Sequence, residues 1–399
     1  MSADSVNPAP VPPPASAPTR RSRRRLVRLA AAGAVGVTVL GVPVAAFGLA
    51  GGFGTTHGTK VANAPQSQLK YQVGKHAAAG FHPAAHAALP ASAGGYDAYV
   101  AAAGGSEVLQ ISLSGDTITN IFGGLDTTEG VAVTPDNSQA FSAATGQYDV
   151  VAVNTTSGAE TPIEVGPYPQ DVAVSPDGSQ VYATVTGGDT GPGGSDVVAV
   201  IDPATDKVTG DITVGAGPRE VVFAPDGSRA YVTTERSIDV IDTATGQVTR
   251  RIPDPAGPQG IAISPEGSTL YVTNPGPSTL WVINAATGRV SASVPAGAEP
   301  YAVAVTPDGS TVYVTDMNAN SVTAISTATD HKVATIPAGS LPGSIAVTPD
   351  GSQVWVGNIL SGNITVINPA TNTVAGTLSF GTGTATLDGQ PLGITFVKS

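Results

Sequence analysis

Apolar and polar residues alternate in a repeating order from residue 93 to the end of the chain. Each repeat opens with a short apolar run, such as Val172-Ala-Val174, and continues with a polar turn and a second apolar run. Apolar runs this short, bounded by Pro, Gly, Asp and Ser, predict β-strands rather than helices. The proline of the turn recurs at intervals of 40 to 49 residues, at Pro135, Pro176, Pro225, Pro265, Pro307 and Pro349.

The turn chemistry predicts four strands in each repeat. In Ser175-Pro-Asp-Gly-Ser179 the proline presets a turn, and Gly178 can adopt the left-handed conformation that follows. The second strand carries the phrase Tyr271-Val-Thr273, and a further loop follows the third strand. The last residue of that loop is always of a type that tolerates a positive φ, and these residues are Gly158, Asp206, Gly246, Gly288, Asp330 and Asn372.

A period near 42 residues with four short strands per repeat is typical of a β-propeller. A marker residue lies seven positions before each turn proline and opens the innermost strand, and these markers are Thr128, Pro169, Pro218, Pro258, Pro300 and Pro342. Pro391 continues the series, but only one strand can follow it, and the three missing strands lie at 98–102, 108–112 and 117–121. We therefore predict an all-β, seven-bladed β-propeller that is closed by pairing of the C-terminal strand with N-terminal strands.

The repeat resembles the YVTN-type β-propeller repeat, which appears literally in Tyr271-Val-Thr-Asn274 and extends over residues 93–399. Tryptophan-aspartate repeats fit less well, because the chain has two tryptophans and no Trp-Asp pair. The resemblance implies a bacterial propeller that is secreted or associated with the cell envelope. It implies little about activity, because most members of that family have none assigned.

The N-terminal residues predict export from the cytoplasm. We expect residues 1–28 to be a disordered basic segment, in which Arg23 and Arg24 resemble the arginine pair of a twin-arginine signal. Residues 29–50 are uncharged and form either a signal-peptide core or a transmembrane anchor. Residues 51–92 are expected to be a flexible linker to the propeller at 93–399. Both interpretations of the apolar run place the propeller outside the cytoplasm, either secreted or membrane-anchored.

Charge and cysteine content restrict the partners. The chain has a net charge of −12 although residues 1–50 contain six Arg and one Asp, so the propeller is strongly acidic. An acidic surface repels phosphate backbones, so we expect no nucleic-acid partner and membrane contact only through the N-terminal segment. The absence of cysteine excludes disulfides, thiolate chemistry and a lipid-attachment cysteine. We expect the propeller to be monomeric.

Polar residues follow the marker residues unevenly, which points to a site at the mouth of the central channel. Charged or amide side chains concentrate in three consecutive blades, and an aromatic residue follows in a later one. The candidate ligand-binding residues are Glu129, Gln170, Asp171, Arg219, Glu220, Glu235, Arg236 and Tyr301. Glu129, Asp171 and Glu220 are the candidate ligands for Ca²⁺ or another divalent cation, and Arg219 and Arg236 would bind a ligand carboxylate.

Two functions fit these residues, beside a passive role as a structural repeat in the cell surface. The first is a binding or interaction module at the cell envelope, whose partner is a protein, a cell-wall polymer or a small ligand at the face with variable loops. The alternative is a metal-assisted enzyme similar to lactonases or lyases of the propeller fold, with its carboxylates at the channel mouth. We favour the binding module and assign no catalytic residue. Four of the five histidines precede the first blade, and His331 is expected on the opposite, tight-turn face.

Overall fold

A computed structural model describes residues 95–102, 106–114, 117–123, 128–187, 196–379 and 390–399. All of them belong to the unit Pro65–Ser399. The basic segment with Arg23 and Arg24, the apolar run 29–50 and the linker 51–92 lie outside the described residues. Within the described residues, no helix has both the length and the apolar character needed to cross a membrane.

The described residues form seven four-stranded antiparallel sheets, which are the blades of a β-propeller. In the first three blades the strands are β1 (Tyr96–Ala102), β2 (Glu107–Ser112), β3 (Thr117–Gly123), β4 (Thr128–Val133), β5 (Gln139–Ala144), β6 (Asp149–Asn154), β7 (Glu160–Glu164), β8 (Pro169–Val174), β9 (Val181–Val185), β10 (Val197–Asp202) and β11 (Lys207–Thr213). In the fourth and fifth blades they are β12 (Val221–Phe223), β13 (Arg229–Thr233), β14 (Ser237–Asp242), β15 (Gln247–Pro253), β16 (Ile261–Ile263), β17 (Thr269–Asn274), β18 (Thr279–Asn284) and β19 (Arg289–Pro295). The remaining strands are β20 (Pro300–Val305), β21 (Thr311–Asp316), β22 (Ser321–Ser326), β23 (His331–Pro337), β24 (Pro342–Val347), β25 (Val354–Asn358), β26 (Asn363–Asn368), β27 (Thr373–Ser379) and β28 (Pro391–Lys398), with a 3₁₀ turn at Met317–Ala319.

The predicted closure of the ring is confirmed. Strand β28 pairs with β1 in antiparallel register, with Ala98 opposite Phe396, and gives the first blade the order β28-β1-β2-β3. The second to seventh blades each consist of four consecutive strands, from β4–β7 to β24–β27. Strands β28, β4, β8, β12, β16, β20 and β24 contact one another around the ring, which makes them the innermost strands. Closure pairs the first and last strands of the propeller and leaves no long edge between them exposed.

The predicted turns are confirmed. Gly178 has φ +73° in the Pro-Asp-Gly turn, and the Asp177 carboxylate accepts the Ser179 amide at 3.0 Å. In the second to seventh blades the last residue of the loop after the third strand also has a positive φ, and these residues are Gly158, Asp206, Gly246, Gly288, Asp330 and Asn372. His331 follows this loop in the sixth blade and is exposed, as expected.

Seven apolar clusters form the core, and each of them lies between two neighbouring blades. The aromatic residue of the Tyr-Val-Thr phrase contributes to this packing. Tyr231 of the fourth blade lies in the cluster shared with the fifth, and Tyr313 of the sixth blade lies in the cluster shared with the seventh. The Tyr313 hydroxyl also donates to Asn372 Oδ1 of the seventh blade at 2.7 Å. Each blade therefore buries its faces only through its neighbours, as in other repeat proteins.

Two innermost strands begin later than predicted. Pro218 and Pro258 do not open β12 and β16, which start at Val221 and Ile261. An irregular pairing follows each of these prolines, and the regular ladder begins only after it. This irregularity shapes the candidate site.

Candidate functional site

A β-bulge follows the marker residue at the start of the innermost strands. In the fourth blade the Arg219 amide donates to Thr233 O at 2.8 Å, and the Thr233 amide donates to Glu220 O at 3.0 Å. Two consecutive residues therefore face one residue of β13, which is the definition of a bulge. The register shifts near the same place in β4, β8, β20 and β24. A bulge redirects side chains, so the two residues after each marker enter different surroundings.

We call the first residue of each pair the mouth residue. Three mouth residues from consecutive blades are linked through their side chains. The Arg219 guanidinium donates to the Gln259 side-chain oxygen across the boundary between the fourth and fifth blades. Gln259 in turn hydrogen-bonds the phenol of Tyr301 in the sixth blade. In the third blade, Gln170 Nε2 donates to Tyr168 O at 3.4 Å.

The mouth residues also interact across the channel. Tyr301 lies in the sixth blade and Glu129 in the second, so the two blades are not neighbours in the ring. Burial raises the pKa of Tyr301 to about 12, and the charges of Glu220 and Glu129 add to that rise. The charge of Glu129 therefore acts on Tyr301 although their blades are not neighbours. The last two mouth residues, Gly343 and Leu392, offer no polar side chain, so the polar part of the mouth extends from the second to the sixth blade.

We call the second residue of each pair the clasp residue, because it connects to the next blade. Asp171 Oδ2 accepts the Val221 amide at 3.0 Å, and Glu220 Oε2 accepts the Ile261 amide at 2.9 Å. Each carboxylate thus binds the innermost strand of the following blade. Ser344 Oγ makes a similar link when it donates to Pro391 O at 3.0 Å. Asp171 and Glu220 are therefore structural partners of their neighbours as well as part of the polar cluster.

Glycine at the clasp position has a steric reason. A methyl group on Gly130 would lie 2.6 Å from Asp171 Oδ1 and 2.9 Å from Asp171 Cα. A methyl group on Gly260 would lie 2.3 Å from the Tyr301 carbonyl oxygen. The innermost strands of adjacent blades approach so closely at these points that only glycine fits.

Threonine hydroxyls complete the contacts between blades, and the sequence analysis did not identify this role. Thr233 Oγ1 accepts the Glu220 amide at 3.1 Å within its own blade and donates to Gln259 O of the next blade at 2.8 Å. Thr184 donates in the same way to Arg219 O at 2.6 Å. The recurrence of threonine as the third residue of the Tyr-Val-Thr phrase could have revealed this role, because strand propensity alone does not require threonine at that position.

Burial gives the three carboxyl groups of the cluster unusual proton affinities. It raises the pKa of Glu129 to about 7 and that of Glu220 to about 8, and Asp171 contributes to both rises through its negative charge. Burial raises the pKa of Asp171 to about 6. Amide donors from Val221 and Ile261 oppose the rises at Asp171 and Glu220. Carboxyl groups that exchange protons near neutral pH can accept or donate hydrogen bonds to a ligand and can serve as general acids or bases.

The described residues do not gather the three carboxylates expected to bind a metal into a ligand set. Across the described ranges, no three Asp, Glu or His side chains come together in an arrangement that could hold a metal ion. One oxygen of Asp171 and one of Glu220 already accept backbone amides.

Glu235 and Arg236 lie apart from the mouth residues. They occupy the turn between β13 and β14, where both side chains are exposed. The Glu235 amide donates to Ala216 O at 2.8 Å, and the Glu235 side chain lies over Gly217, which precedes the marker Pro218. The two residues thus share a blade and a face with Arg219 and Glu220, but no contact joins their side chains to the cluster.

The opposite face has a cleft of about 490 Å³ between the Pro-Asp-Gly turns of the third and fourth blades. Its acidic residues are already used by the turns, because Asp177 accepts from Ser179 and Asp226 accepts from Ser228. Hydrogen bonds from Ser175 and Ser179 lower the pKa of Asp177 to about 2, and those from Ser228 lower the pKa of Asp226. Among the described residues, the channel mouth, whose carboxyl groups have raised pKa values, is therefore a better candidate for a functional site than this cleft.

Comparisons with known proteins agree with the fold. The family described as Lactonase, 7-bladed beta-propeller matches residues 194–326, about a third of the chain, and this segment contains Arg219, Glu220, Gln259 and Tyr301. No curated protein matches the sequence.

Two solved structures share the architecture. Hydrazine synthase of Kuenenia stuttgartiensis is similar with a TM-score of 0.61 and 24% identity, over 67% of this chain and 90% of that chain. A protein of unknown function from Desulfotomaculum acetoxidans DSM 771 is similar with a TM-score of 0.63 and 14% identity, over 76% of this chain and 99% of that chain. Identities this low show the fold alone. The chain is a seven-bladed β-propeller, part of which is similar to the seven-bladed lactonases.

Proposed function

We propose that the protein is a binding module outside the cytoplasm, at the cell envelope, and that it binds a small hydroxylated organic acid at the channel mouth. The observation that carries this proposal is the asymmetry of the mouth. Five consecutive blades contribute polar mouth residues, whereas Gly343 and Leu392 complete the ring. A purely structural repeat does not require this difference between blades. The mouth residues of the polar part are Glu129, Gln170, Arg219, Gln259 and Tyr301.

The side chains suggest the class of ligand. The guanidinium of Arg219 has donors beyond the one that meets Gln259, and a guanidinium binds a carboxylate through paired hydrogen bonds. Gln170, Glu129 and the Tyr301 phenol can exchange hydrogen bonds with hydroxyl groups. A ligand that carries one carboxylate and several hydroxyls would use both sets. Location at the envelope rests on the basic and apolar N-terminal segments and on the resemblance to YVTN-type propellers.

Calorimetry with gluconate as the probe tests this proposal on the full chain. Sorbitol, which lacks the carboxylate, is the matched probe. We expect gluconate to bind more tightly than sorbitol. Arg219→Gln should lower the affinity for gluconate at least about tenfold, because a charge-assisted pair is lost. Arg236→Gln, which removes an exposed arginine of the same face, should change nothing. Equal binding by the two arginine variants, or no binding of gluconate, would overturn the proposal.

Lactone hydrolysis is a second candidate, and the lactonase-family match over residues 194–326 favours it. In this reaction a carboxylate takes a proton from water as the water oxygen bonds to the lactone carbonyl carbon. The ring C–O bond then breaks, the ring oxygen takes up a proton, and a hydroxy acid is released. Glu129, whose pKa is raised to about 7, is the candidate base. The product belongs to the same class as the proposed ligand.

Base consumption with glucono-1,5-lactone distinguishes the two functions. An enzyme should accelerate ring opening above the uncatalysed rate, and Glu129→Gln should remove about a hundredfold or more of that acceleration. Glu235→Gln is the control, since its carboxyl is exposed and outside the cluster. A rate equal to the uncatalysed one, together with tight gluconate binding, would identify a binding module. Elemental analysis of the purified chain tests the expected divalent cation separately.

A further inference from the structure

A corner of the fifth blade differs from the same corner of the next blade. In the sixth blade Asp316, the last residue of β21, is fully buried and satisfied by its surroundings. The Gly297 amide donates to Asp316 Oδ1 at 2.8 Å, and the Thr323 hydroxyl donates to Asp316 Oδ2 at 2.7 Å. Ser321 donates a longer bond of 3.3 Å to the same oxygen. This corner is closed by the protein's own donors.

Two of these donors are missing from the fifth blade. Counting from the ends of β15 and β19, Pro255 stands where the sixth blade has Gly297, and proline has no amide hydrogen. Trp281 stands two residues into β18, where β22 has Thr323. The fifth-blade corner therefore loses one backbone donor and one hydroxyl donor.

The same corner gains an acceptor. Asp254 follows β15, at the position where the sixth blade has Ala296, and it is fully buried. Asp254 Oδ1 accepts the Ala256 amide at 3.1 Å, but Asp254 Oδ2 has no hydrogen-bond partner. The buried side-chain atoms of Asn274 and the hydroxyl of Thr279 also lack partners. Asn274 ends β17 and Thr279 begins β18 directly opposite it.

We propose that Asp254, Asn274 and Thr279, which we call the Asp254 corner, bind a Ca²⁺-type cation through their unpaired oxygens. A carboxylate, an amide carbonyl and a hydroxyl are hard oxygen ligands of the kind that Ca²⁺ takes. Buried polar atoms without partners are rare in native proteins and call for an explanation such as a bound water or ion. A single water donates two hydrogen bonds, whereas a cation contacts all three oxygens at once and also offsets the buried charge.

Charge in the surroundings agrees with this assignment. The nearest basic side chain along β15, Arg251, pairs with Asp239 of the same blade at 3.2 Å, the one ion pair among the residues that the structure describes. Asp254 therefore has no cationic side chain as a partner. Burial raises its pKa, and the Ala256 amide and then the Asn274 side chain oppose that rise, so Asn274 interacts with the Asp254 carboxyl. A site with one carboxylate predicts weak binding, with a Kd of about 0.1–1 mM.

Terbium luminescence tests the proposal on the full chain. Tb³⁺ replaces Ca²⁺ at oxygen sites, and Trp281 lies two residues from Thr279 on β18, close enough to sensitise its emission. We expect sensitised emission that Ca²⁺ displaces. Asp254→Ala should lower the affinity for Tb³⁺ at least about tenfold. This variant should still fold, because alanine occupies this position in the sixth blade. Asp211→Asn, which removes one exposed carboxylate from β11, is the charge-matched control and should bind as the parent does.

Thermal unfolding gives an independent readout. Ca²⁺ at ten times its Kd should raise the Tm of the parent by about 2 °C and leave that of Asp254→Ala unchanged. Trp281→Phe should lose the sensitised emission but keep the Ca²⁺-dependent rise in Tm. Emission or a Tm rise that is equal in the parent and in Asp254→Ala would place the ion elsewhere on the acidic surface and overturn the proposal. The absence of any Ca²⁺ effect would also overturn it and would leave water as the partner of these oxygens.

Discussion

The Glu220 carboxylate accepts the backbone amide of Ile261 at 2.9 Å, although the two residues belong to different blades. Asp171 and Val221 repeat this relationship one blade earlier. Carboxyl groups that the sequence suggested as metal ligands thus also connect neighbouring blades of the propeller. If these carboxylates connect the blades, their removal should lower the free energy of unfolding, which can be measured.

Replacement of Glu220 should destabilise the ring. Glu220→Ala leaves the Ile261 amide without its acceptor, and a buried donor without a partner costs about 1–3 kcal/mol in the free energy of unfolding. Glu220→Gln keeps an acceptor oxygen and should have a smaller effect. Urea unfolding measures both. Glu235→Ala, at an exposed turn, should lie within about 0.5 kcal/mol of the parent. Equal losses for Glu220→Ala and Glu235→Ala would contradict the role of the clasp residue.

Gly130→Ala should destabilise the fold by about 1–3 kcal/mol, because the added methyl group would overlap Asp171 in the next blade. Gly210→Ala is the matched substitution, since a methyl group there would have no neighbour within 4 Å. We expect its unfolding free energy to stay within about 0.5 kcal/mol of the parent. If the two variants unfolded at the same urea concentration, the close approach of the innermost strands would be refuted.

Thr233→Val should cost more stability than Thr315→Val. Thr233 accepts the Glu220 amide and donates to Gln259 O across the blade boundary at 2.8 Å. Thr315 accepts the Ala302 amide at 2.9 Å, and its other bond, to Ala302 O at 3.4 Å, stays within the blade. Loss of the bond between blades should add about 1 kcal/mol to the difference, measured by urea unfolding. Identical midpoints would mean that the threonine acts only within its own blade.

Stability should fall as the pH rises from about 5 to about 8.5. Glu129 and Glu220 have pKa values near 7 and 8 in the folded protein, above the ordinary 4.5. The folded state therefore binds protons that the unfolded chain has released, and this contribution to stability is lost as the pH passes the folded pKa values. The Tm of Glu129→Gln/Glu220→Gln should depend less on pH in this range. A parent Tm that is constant from pH 5 to pH 8.5 would contradict the assigned shifts.

Below pH 4 stability should fall again as the pH decreases, because the turn aspartates become protonated. Hydrogen bonds from Ser175 and Ser179 lower the pKa of Asp177 to about 2, so its contribution is lost only as the pH falls toward that value. The Tm should therefore pass through a maximum near pH 5, which thermal scans across the pH range would reveal. In Asp177→Asn the Tm should decline less steeply at the acid end.

Much of the fold could be predicted because its determinants are local. The turn Pro-Asp-Gly sets the backbone at Gly178, and residues such as Asp206 and Asn372 tolerate the positive φ that the next loop requires. The spacing of these turns predicted seven blades and the pairing of β28 with β1. The late starts of β12 and β16 could not be predicted, because a bulge is a matter of pairing between strands.

The sequence predicted that the candidate residues follow the markers of the innermost strands, but it did not predict which groups they contact. Gln170 and Asp171 are neighbours in the chain, yet Gln170 bonds to its own blade while Asp171 binds the next one. The two side chains have different partners because the bulge directs them to different surroundings. Glu235 lies in the same blade as Glu220 but makes no contact with the cluster, because its turn carries the side chain into solvent.

The sequence by itself determined the number of blades, the closure of the ring and the turn chemistry, because each depends on a few consecutive residues and on their period. The tertiary structure alone decided which carboxylates connect blades, which face the channel and which buried oxygens remain without partners. Asp254 and Asn274 are 20 residues apart, and Glu129 and Tyr301 are in blades that are not adjacent. Their relationships arise from packing between strands, whose geometry no local pattern records.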